Sequence, residues 1–489
     1  MTDYLWDIDA LVAATGGRAI GTMPRGVTGL SIDTRTVTPG DAFFAIKGDR
    51  FDGHTFLTAA VAAGASVLVV SEKKLPALGR VHGQFIVVED VLTALVRLST
   101  AARARSKAKI VAVTGSVGKT TTKEALRHGL SAAGKVHASA ASFNNHWGVP
   151  LSLARMPADA RFGIFEIGMN HPDEIRPLVK IVRPHVAIVT LIAPAHLGHF
   201  NDIGEIAKAK GEVFEGLVMG GTAVVNADDP QGPALIEMAR AAGVDDIKIF
   251  GEGEGAEYRL LDFQPMPDGA RMRARIGETE VALELAASGR HIADNLLAVL
   301  GTAQLVGADV ETVAAALSSW RAGKGRGERH RLPLGEGELT LIDESYNANP
   351  ASMRAAIAVL AAAAPSSGGR RIAILGDMLE LGEQSGDLHA ELGPVLVEAG
   401  VDRVYLLGNE MKALDDALDG TLPAEWHESL DELQASLLGH LRAGDVVMVK
   451  GSNGIGLSRI VDRLIAAHGS GVPGSANGAG STATQTGTV

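Results

Sequence analysis

The stretch that decides the fold is KIVAVTGSVGKTTTKEALR, residues 109–127. Residues 110–114 form a β-branched run typical of a buried strand, and residues 123–130 have the pattern of a helix. Between them, Gly115 and Gly118 allow a tight turn whose backbone amides can approach phosphate oxygens. We therefore predict a phosphate-binding loop in a mononucleotide-binding α/β domain.

The loop also provides side chains for a triphosphate and its metal ion. Lys119 can reach the β- and γ-phosphates, and the hydroxyl of Thr120 is placed to bind Mg²⁺. The usual pattern begins with glycine where Val113 stands here, so a glycine-rich turn without a ligand is the alternative. The order of strand, Gly-Lys-Thr-Thr and helix favours the phosphate loop. The ATP-binding residues predicted in it are Thr114, Gly115, Ser116, Val117, Gly118, Lys119, Thr120 and Thr121.

Composition limits the possible classes of protein. A chain of 489 residues with 46% hydrophobic residues can hold several cores, and about 150 residues per domain predicts three domains. No apolar run approaches the roughly 18 residues that cross a bilayer, and no signal peptide is evident, so we expect a cytoplasmic protein without stable membrane insertion. The absence of cysteine excludes thiolate chemistry, and a net charge of −12 argues against a nucleic-acid partner.

Strand and helix patterns predict an α/β fold of three domains. Residues 1–107 read as a small mixed α/β domain, residues 108–325 as the central open sheet with the phosphate loop, and residues 326–467 as a Rossmann-like sheet without a GxGxxG fingerprint. The short basic segment 322–331, AGKGRGERHR, is typical of an interdomain hinge. From residue 468 the chain is rich in Gly, Ser, Thr and Ala, which predicts a disordered tail.

Polar residues of the first domain are candidates for an anion site. Ser31, Asp33 and Arg35 alternate along a predicted strand and would share one face, with the Arg35 fork available for a phosphate or carboxylate. The sequence Asp52-Gly53-His54 predicts a tight turn with an exposed imidazole. The alternative is that these are ordinary polar residues of the surface, and the sequence pattern by itself favours this alternative.

The central segment offers candidate metal ligands and amides. Glu166 stands at the end of a predicted strand, where open α/β sheets bind ligands, and His196 follows the next strand. A lone histidine also fits a structural role. Asn144 and Asn145 can donate to and accept from a sugar or diphosphate, or can stabilise a turn.

Two lysines of the predicted helix 203–217 differ in their helical neighbours. Lys208 is spaced with Glu205 and Glu212, which places it on a solvated face. Lys210 is spaced with apolar residues such as Ile206 and Val213, which directs it inward. A buried lysine must lose its proton, pair or be modified; snorkelling from the edge of the stripe is the alternative.

Further candidate site residues stand near the start of one predicted helix and after three predicted strands. His291 and Asn295 share one face of a helix, where Asn295 can meet the edge of an adenine ring or cap locally. Three polar motifs follow strands of the last domain: DESYNANP at 343–350, LGDMLELGE at 375–383 and VKGSNGIG at 449–456.

Together the motifs resemble the three-domain Mur ligases of peptidoglycan synthesis. The resemblance covers roughly residues 25–465 and rests on TGSVGKTTTKE, SFNNHWGVPLSL, FEIGMN, AHLGHF, IAKAKGEVF, DESYNANPASM, ILGDMLELGE and VKGSNGIGLSRIV. LIDESYNANP together with LGDMLELGE is the specific part, since GKT is widespread. Val113 in the loop also matches this family.

The resemblance implies an ATP-dependent ligase that joins D-alanyl-D-alanine to a UDP-N-acetylmuramoyl-tripeptide. ATP would phosphorylate the terminal carboxylate of the tripeptide, and the dipeptide amine would attack the acyl phosphate. Lys119, Lys210 and His196 would be catalytic, and Thr120, Glu166, His196 and a carbamylated Lys210 would hold Mg²⁺.

Binding roles also follow from the resemblance. Asn295 would contact adenine, Asp343 or Glu344 the ribose, and either Arg326 or Arg329 the phosphates. The substrate would be bound by Ser31, Asp33, Arg35, Asp52, Gly53, His54, Asn144, Asn145, Lys450 and Ser452. A monomer is expected. The alternatives are another Mur-type or folylpolyglutamate-type ligase, or a non-catalytic nucleotide-binding regulator.

Overall fold

The computed structural model describes residues 4–48, 50–79, 81–140, 143–194, 198, 200–266, 269–287, 289–366, 368–437 and 439–468. His196 and the tail predicted from residue 468, apart from His468 itself, lie outside these residues. Among the described helices, none combines the length and apolarity that a membrane span requires.

The first domain is a small sheet with helices packed against it. Its elements are β1 (Trp6–Asp7), α1 (Ile8–Thr15), β2 (Arg18–Ile20), β3 (Gly26–Val27), β4 (Leu30–Ser31), β5 (Ala42–Phe44), α2 (Leu57–Ala62), β6 (Val67–Ser71), β7 (Phe85–Val88) and α3 (Val91–Arg105). The sheet order is β2-β7-β6-β5-β4, parallel except for β2, and β1 pairs with β3 apart from it. Mixed α/β structure is therefore confirmed here.

The central domain begins with the strand of the phosphate loop. Its elements are β8 (Lys109–Thr114), α4 (Lys119–Ser131), β9 (Val136–Ala138), α5 (Gly148–Ala154), β10 (Phe162–Glu166), α6 (Ile175–Val182), β11 (Val186–Val189), α7 (Ile203–Gly211), β12 (Thr222–Asn226), α8 (Gly232–Ala241), β13 (Asp246–Gly251), β14 (Tyr258–Met266), β15 (Gly269–Ile276), β16 (Thr279–Leu285), α9 (Arg290–Leu305) and α10 (Val310–Leu317).

The central sheet has the order β16-β15-β14-β13-β12-β11-β8-β10-β9. Strands β8 to β14 run parallel, and β14, β15 and β16 form an antiparallel meander at one edge. Apolar clusters cover both faces of the sheet, one packing it against α4, α9 and α10 and the other against α5, α6, α7 and α8. Burial on both faces explains the continuous β-branched runs of the parallel strands.

The last domain is a second parallel sheet with one antiparallel edge strand. Its elements are β17 (Glu328–Leu334), β18 (Gly337–Glu344), α11 (Pro350–Ala362), β19 (Arg371–Gly376), α12 (Ser385–Ala390), α13 (Leu392–Glu398), β20 (Arg403–Leu407), α14 (Lys412–Leu418), β21 (Ala424–His427), α15 (Leu430–Leu437), β22 (Val446–Lys450) and α16 (Ser458–His468). The order is β17-β18-β22-β19-β20-β21, with only β17 antiparallel among the described strands. The predicted Rossmann-like shape is confirmed.

Two local predictions are wrong. The strand predicted through Asp33 ends at Ser31, because the Asp33 carboxylate accepts the Arg35 amide and starts a 3₁₀ turn at Thr34–Thr36. The predicted hinge 322–331 is shorter than expected, because residues from Glu328 onward pair with β18.

Arg103 and Trp6 of the first domain hydrogen-bond to the central domain. Arg103 donates to the carbonyls of Val182 and Arg183, both at 2.8 Å, and so satisfies acceptors at the C-terminal end of α6. The Arg105 guanidinium lies 3.5 Å from the ring centroid of Trp6, whose indole N–H donates to the Ala154 carbonyl at 2.9 Å. These contacts fix the first domain against the central one.

Candidate active site

The phosphate loop joins β8 to α4 and requires glycine at two points. Gly115 has φ +147°, and a Cβ there would lie 2.0 Å from the Thr190 hydroxyl oxygen. Gly118 has φ +88°, and a Cβ there would lie 2.6 Å from the Asn295 side-chain oxygen. A side chain at either position would be strained, so glycine keeps this part of the loop accessible. The Ser116 amide donates to the Leu191 carbonyl at 2.7 Å and so fixes the loop against the end of β11.

Lys119 begins α4 and points back over the loop. Its ammonium donates to the Gly115 carbonyl at 2.7 Å. Burial lowers its pKa, an effect that the carboxylate of Glu166 opposes and the charge of Arg326 reinforces. An anion bound in the loop would give this ammonium a negatively charged hydrogen-bond acceptor.

Glu166 ends β10 and is almost completely buried, at 1% exposure. Its two carboxylate oxygens accept one hydrogen bond each at 2.8 Å, one from the Thr120 hydroxyl and one from the Asn144 amide. The Lys123 ammonium lies 4.0 Å away. Hydroxyl and carboxylate oxygens are the donors that Mg²⁺ prefers, so Thr120 and Glu166 fit this ion.

Lys210 and Lys208 lie on opposite sides of α7. Lys210 is 1% exposed, whereas Lys208 is on the solvent side, which confirms the burial predicted from helical spacing. Burial, and then the positive charge of Lys119, lowers the pKa of Lys210 well below its usual range. The amine is thereby biased toward its neutral, nucleophilic form.

Asn295 projects from the first turns of α9 toward the loop. It is 8% exposed, and its carboxamide lies beside Gly118 as described above. His291, one turn earlier on α9, lines the same cavity, and burial lowers its pKa. The four-residue spacing noted in the sequence therefore places both side chains on the site.

The last domain forms the opposite wall. The Lys450 ammonium donates to the Asn347 carbonyl at 3.0 Å and lies 3.5 Å from the Glu344 carboxylate. The Arg326 guanidinium also faces this space. Asp343 is fully buried and accepts from the Gly325 amide at 2.8 Å and from the Ser345 hydroxyl at 2.5 Å.

These walls enclose a cavity of about 330 Å³ between the central and last domains. The predicted residues that line it are Ser116, Val117, Gly118, Lys119, Thr120, Thr121, Asn144, Glu166, Asn295, Arg326, Glu344 and Lys450. Arg329 is not among its lining residues; it lies on β17, paired with Ile342. Thr114, Gly115, Lys210 and Asp343 are not among the lining residues.

Some lining residues were not predicted as ligands. Met169 and Asn170 belong to the FEIGMN motif, and Tyr346, Asn347 and Asn349 belong to DESYNANP. Their position after strand ends was the available signal, since parallel strands meet at one edge.

His54 is not the exposed imidazole that was predicted. Its side chain is 6% exposed, its Nδ1 lies 2.6 Å from the Asp52 carboxylate, and its Nε2 accepts the Ser71 amide at 2.9 Å. Asp52 is further paired with Lys74 at 2.7 Å. A Cβ on Gly53 would lie 2.8 Å from the backbone carbonyl carbon of Ala45, so Gly53 packs closely against the segment that follows β5.

Ser31, Asp33 and Arg35 do not share a strand face. Ser31 is completely buried and its hydroxyl lies 2.8 Å from that of Thr36. Arg35 is exposed and its guanidinium is paired with the Asp33 carboxylate. The 3₁₀ turn after Ser31 produces this arrangement.

Asn145 and Ser452 have local partners. The Asn145 side-chain oxygen accepts the Gly148 amide at 2.9 Å, at the start of α5. The Ser452 hydroxyl accepts the Leu379 amide at 2.9 Å, and its own amide donates to the Asp377 carbonyl at 3.0 Å. Ser452 thus joins two loops of the last domain.

Comparison with known families covers most of the chain. "Mur ligase family, catalytic domain" matches residues 26–103, "Mur ligase middle domain" matches residues 113–303, and "Mur ligase, glutamate ligase domain" matches residues 325–453.

Individual relatives are similar over nearly the whole length. The UDP-N-acetylmuramoyl-tripeptide–D-alanyl-D-alanine ligase of Rickettsia prowazekii is 33% identical over 433 residues, which is 88% of this chain and 94% of that protein. The enzyme of the same name from Escherichia coli is 35% identical over 392 residues, 79% of this chain and 83% of that protein. The chain belongs to the Mur ligase family.

Solved structures agree with this assignment. A crystal structure of MurF from Acinetobacter baumannii matches with a TM-score of 0.81 and 30% identity, covering 94% of this chain and 99% of that one. MurF ligase from Thermotoga maritima in complex with ADP matches with a TM-score of 0.75 and 26% identity, covering 89% and 96%. The predicted three-domain α/β fold is confirmed.

Proposed function

We propose that this protein is an ATP-dependent ligase that joins D-alanyl-D-alanine to a UDP-N-acetylmuramoyl-tripeptide. The observation that carries the proposal is the cavity in which a phosphate loop, a buried carboxylate and the strand ends of a second domain meet. The names of relatives at 33% and 35% identity support the choice of substrates.

Lys119 and the loop amides bind the triphosphate in this proposal. The ammonium leaves its carbonyl acceptor on Gly115 for phosphate oxygens, which are better acceptors because they are charged. Thr120 and Glu166 hold Mg²⁺, with His196 as a further predicted ligand. The ion, when bound, withdraws negative charge from the phosphoryl group that is transferred.

Lys210 is proposed to be carbamylated. Its neutral amine can attack CO₂, forming an N–C bond and releasing one proton, and the resulting carboxylate is negative. Such an anion near Lys119 and the metal site replaces repulsion between positive charges by attraction.

The nucleotide is proposed to lie with its adenine near Asn295 and its ribose near Glu344. Both line the cavity, whereas the Asp343 carboxylate is already occupied by Gly325 and Ser345. The position of Arg326 in the cavity makes it the arginine that we assign to the phosphates.

The UDP end of the substrate is proposed to bind the first domain, at residues 1–107. Asp33 and Arg35 are accessible there, while Ser31 and His54 support the backbone from within. We keep the predicted boundaries of residues 108–325 and 326–467 for the other domains. Because the phosphate donor is ATP, we place the reaction in the cytoplasm.

The test is phosphate release from ATP in the presence of Mg²⁺ and each candidate UDP-linked precursor, with and without D-alanyl-D-alanine. We expect release that requires both the tripeptide precursor and the dipeptide. Equal release with a single amino acid in place of the dipeptide would favour another Mur-type ligase. Nucleotide binding without turnover on any precursor would favour a regulator.

A further inference from the structure

Tyr346 contacts Arg326 directly. The guanidinium carbon of Arg326 lies 3.8 Å from the centroid of the Tyr346 ring, and both side chains line the cavity that also contains Lys119. A guanidinium over an aromatic face is attracted by the negative charge of the ring face, and the attraction grows where water is excluded.

The backbones on either side of this contact are joined as well. The Tyr346 amide donates to the Gly325 carbonyl at 3.0 Å, and the Gly325 amide donates to the Asp343 carboxylate at 2.8 Å. Gly325 has φ +76°, and a Cβ there would lie 2.9 Å from the Tyr346 Cβ. These bonds bring the two segments together, which places the Tyr346 ring within reach of the Arg326 side chain.

The cavity around Arg326 contains the ammonium groups of Lys119 and Lys450 and also the carboxylates of Glu166 and Glu344. Burial lowers the pKa of Lys450, and the charge of Arg326 adds to that effect, as it does for Lys119. Before an anion binds, repulsion from the two lysines offsets attraction by the two carboxylates, so charge alone does not fix the rotamer of Arg326. A long, flexible arginine would then lose entropy on every binding event, unless a neighbour holds it in place.

We propose that Tyr346 is a positioning residue, whose ring holds the Arg326 guanidinium in the cavity so that it is ready to meet the phosphates of the nucleotide. The inference deepens the proposed function, since it assumes that the cavity takes ATP. It does not depend on which precursor or acceptor is joined.

The experiment measures the dissociation constant of a non-hydrolysable ATP analogue for the full-length protein by calorimetry. The variants are Tyr346→Leu, Arg326→Ala, the double variant and Tyr346→Phe, which keeps the aromatic face. Arg403→Ala is the matched control, because its guanidinium lies 5.5 Å from the Tyr405 ring in the same domain but at the start of β20, away from the cavity.

Tyr346→Leu is expected to weaken binding roughly 10-fold, the scale of a partly desolvated cation–π contact. The double variant should bind no more weakly than Arg326→Ala alone, Tyr346→Phe should lose less than Tyr346→Leu, and Arg403→Ala should bind as the parent does. Additive losses in the double variant, or equal losses for the Phe and Leu variants, would overturn the proposal. Circular dichroism and melting curves verify that Tyr346→Leu is folded.

Steady-state kinetics provide a second measurement if Tyr346→Leu folds poorly. For Arg326→Ala, the KM for ATP should rise while the KM for the dipeptide stays unchanged, and for Tyr346→Phe both KM values should stay near those of the parent. A rise in both KM values would indicate general damage and contradict a positioning role. Absence of ligation by the parent protein would contradict the proposed function but not the role of Tyr346. The dissociation constants of the four variants can be compared without turnover.

Discussion

Replacing Lys210 by alanine is expected to abolish most activity, whereas replacing Lys208 should change little. The two lysines lie on one helix, two residues apart, yet Lys210 is 1% exposed and Lys208 is on the solvent side. A metal ion near a transferred phosphoryl group contributes several kcal/mol of charge stabilisation. If loss of the carbamate forfeits about 3 kcal/mol of it, the rate falls about 100-fold.

The assay is the rate of ATP-dependent ligation for both variants across a range of acetate concentrations. Acetate offers a carboxylate of the same charge as the carbamate and is smaller than the lysine side chain that the substitution removes. We therefore expect acetate to restore part of the activity of Lys210→Ala and none in Lys208→Ala. Intact-protein mass measurement in bicarbonate buffer tests for the added CO₂.

The reasoning would be refuted by equal sensitivity at the two lysines. A Lys210→Ala variant with normal activity would also contradict it, because the buried amine would then have no role in catalysis. Rescue of both variants by acetate would point to a general salt effect instead.

Three further substitutions test other parts of the site. Lys119→Ala should lose at least about 100-fold in rate while its melting temperature stays unchanged, because the side chain stabilises the negative charge of the phosphates. Near-normal turnover would contradict the phosphate-loop assignment. Glu166→Gln keeps the shape of the side chain but removes a charge, so its Mg²⁺ requirement should rise about 10- to 100-fold in a metal titration, and an unchanged requirement would exclude Glu166 as a ligand. Asp294→Asn tests a pH dependence, because burial raises the pKa of Asp294 to about 7 from 3.8. The pKa of Asp294 is higher in the folded protein than in the unfolded chain. Protonated Asp294 therefore stabilises the fold fully below about pH 4, and this stabilisation is lost as the pH rises through 7. The variant should be more stable at pH 8.5, on the order of 2 kcal/mol after allowance for solvent screening, but not at pH 4, and equal gains at both pH values would contradict the assignment.

Local patterns predicted the features that depend on one element. The helical spacing of apolar residues around Lys210 was enough to predict its burial, because α7 lies against the sheet along that stripe. The phosphate loop was likewise visible, since strand, glycines and helix are contiguous in the chain.

Features that depend on distant contacts were not predictable from the sequence. The buried His54 ring accepts a hydrogen bond from the amide of Ser71, which lies 17 residues later. The sequence near residue 54 contains no pattern that predicts this contact. The proposal of Arg326 rather than Arg329 rests on the position of Arg326 in the cavity and on the pairing of Arg329 within β17. Both depend on how the hinge packs against the last domain.

The central claim, that this site activates a carboxylate by phosphorylating it, is tested by isotope transfer. The UDP-linked tripeptide is labelled with ¹⁸O in its terminal carboxylate and incubated with ATP, Mg²⁺ and D-alanyl-D-alanine. Mass analysis of the released phosphate should then find one ¹⁸O atom per turnover, because the carboxylate oxygen that attacks the phosphorus leaves with it. Unlabelled phosphate alongside completed ligation would contradict the account.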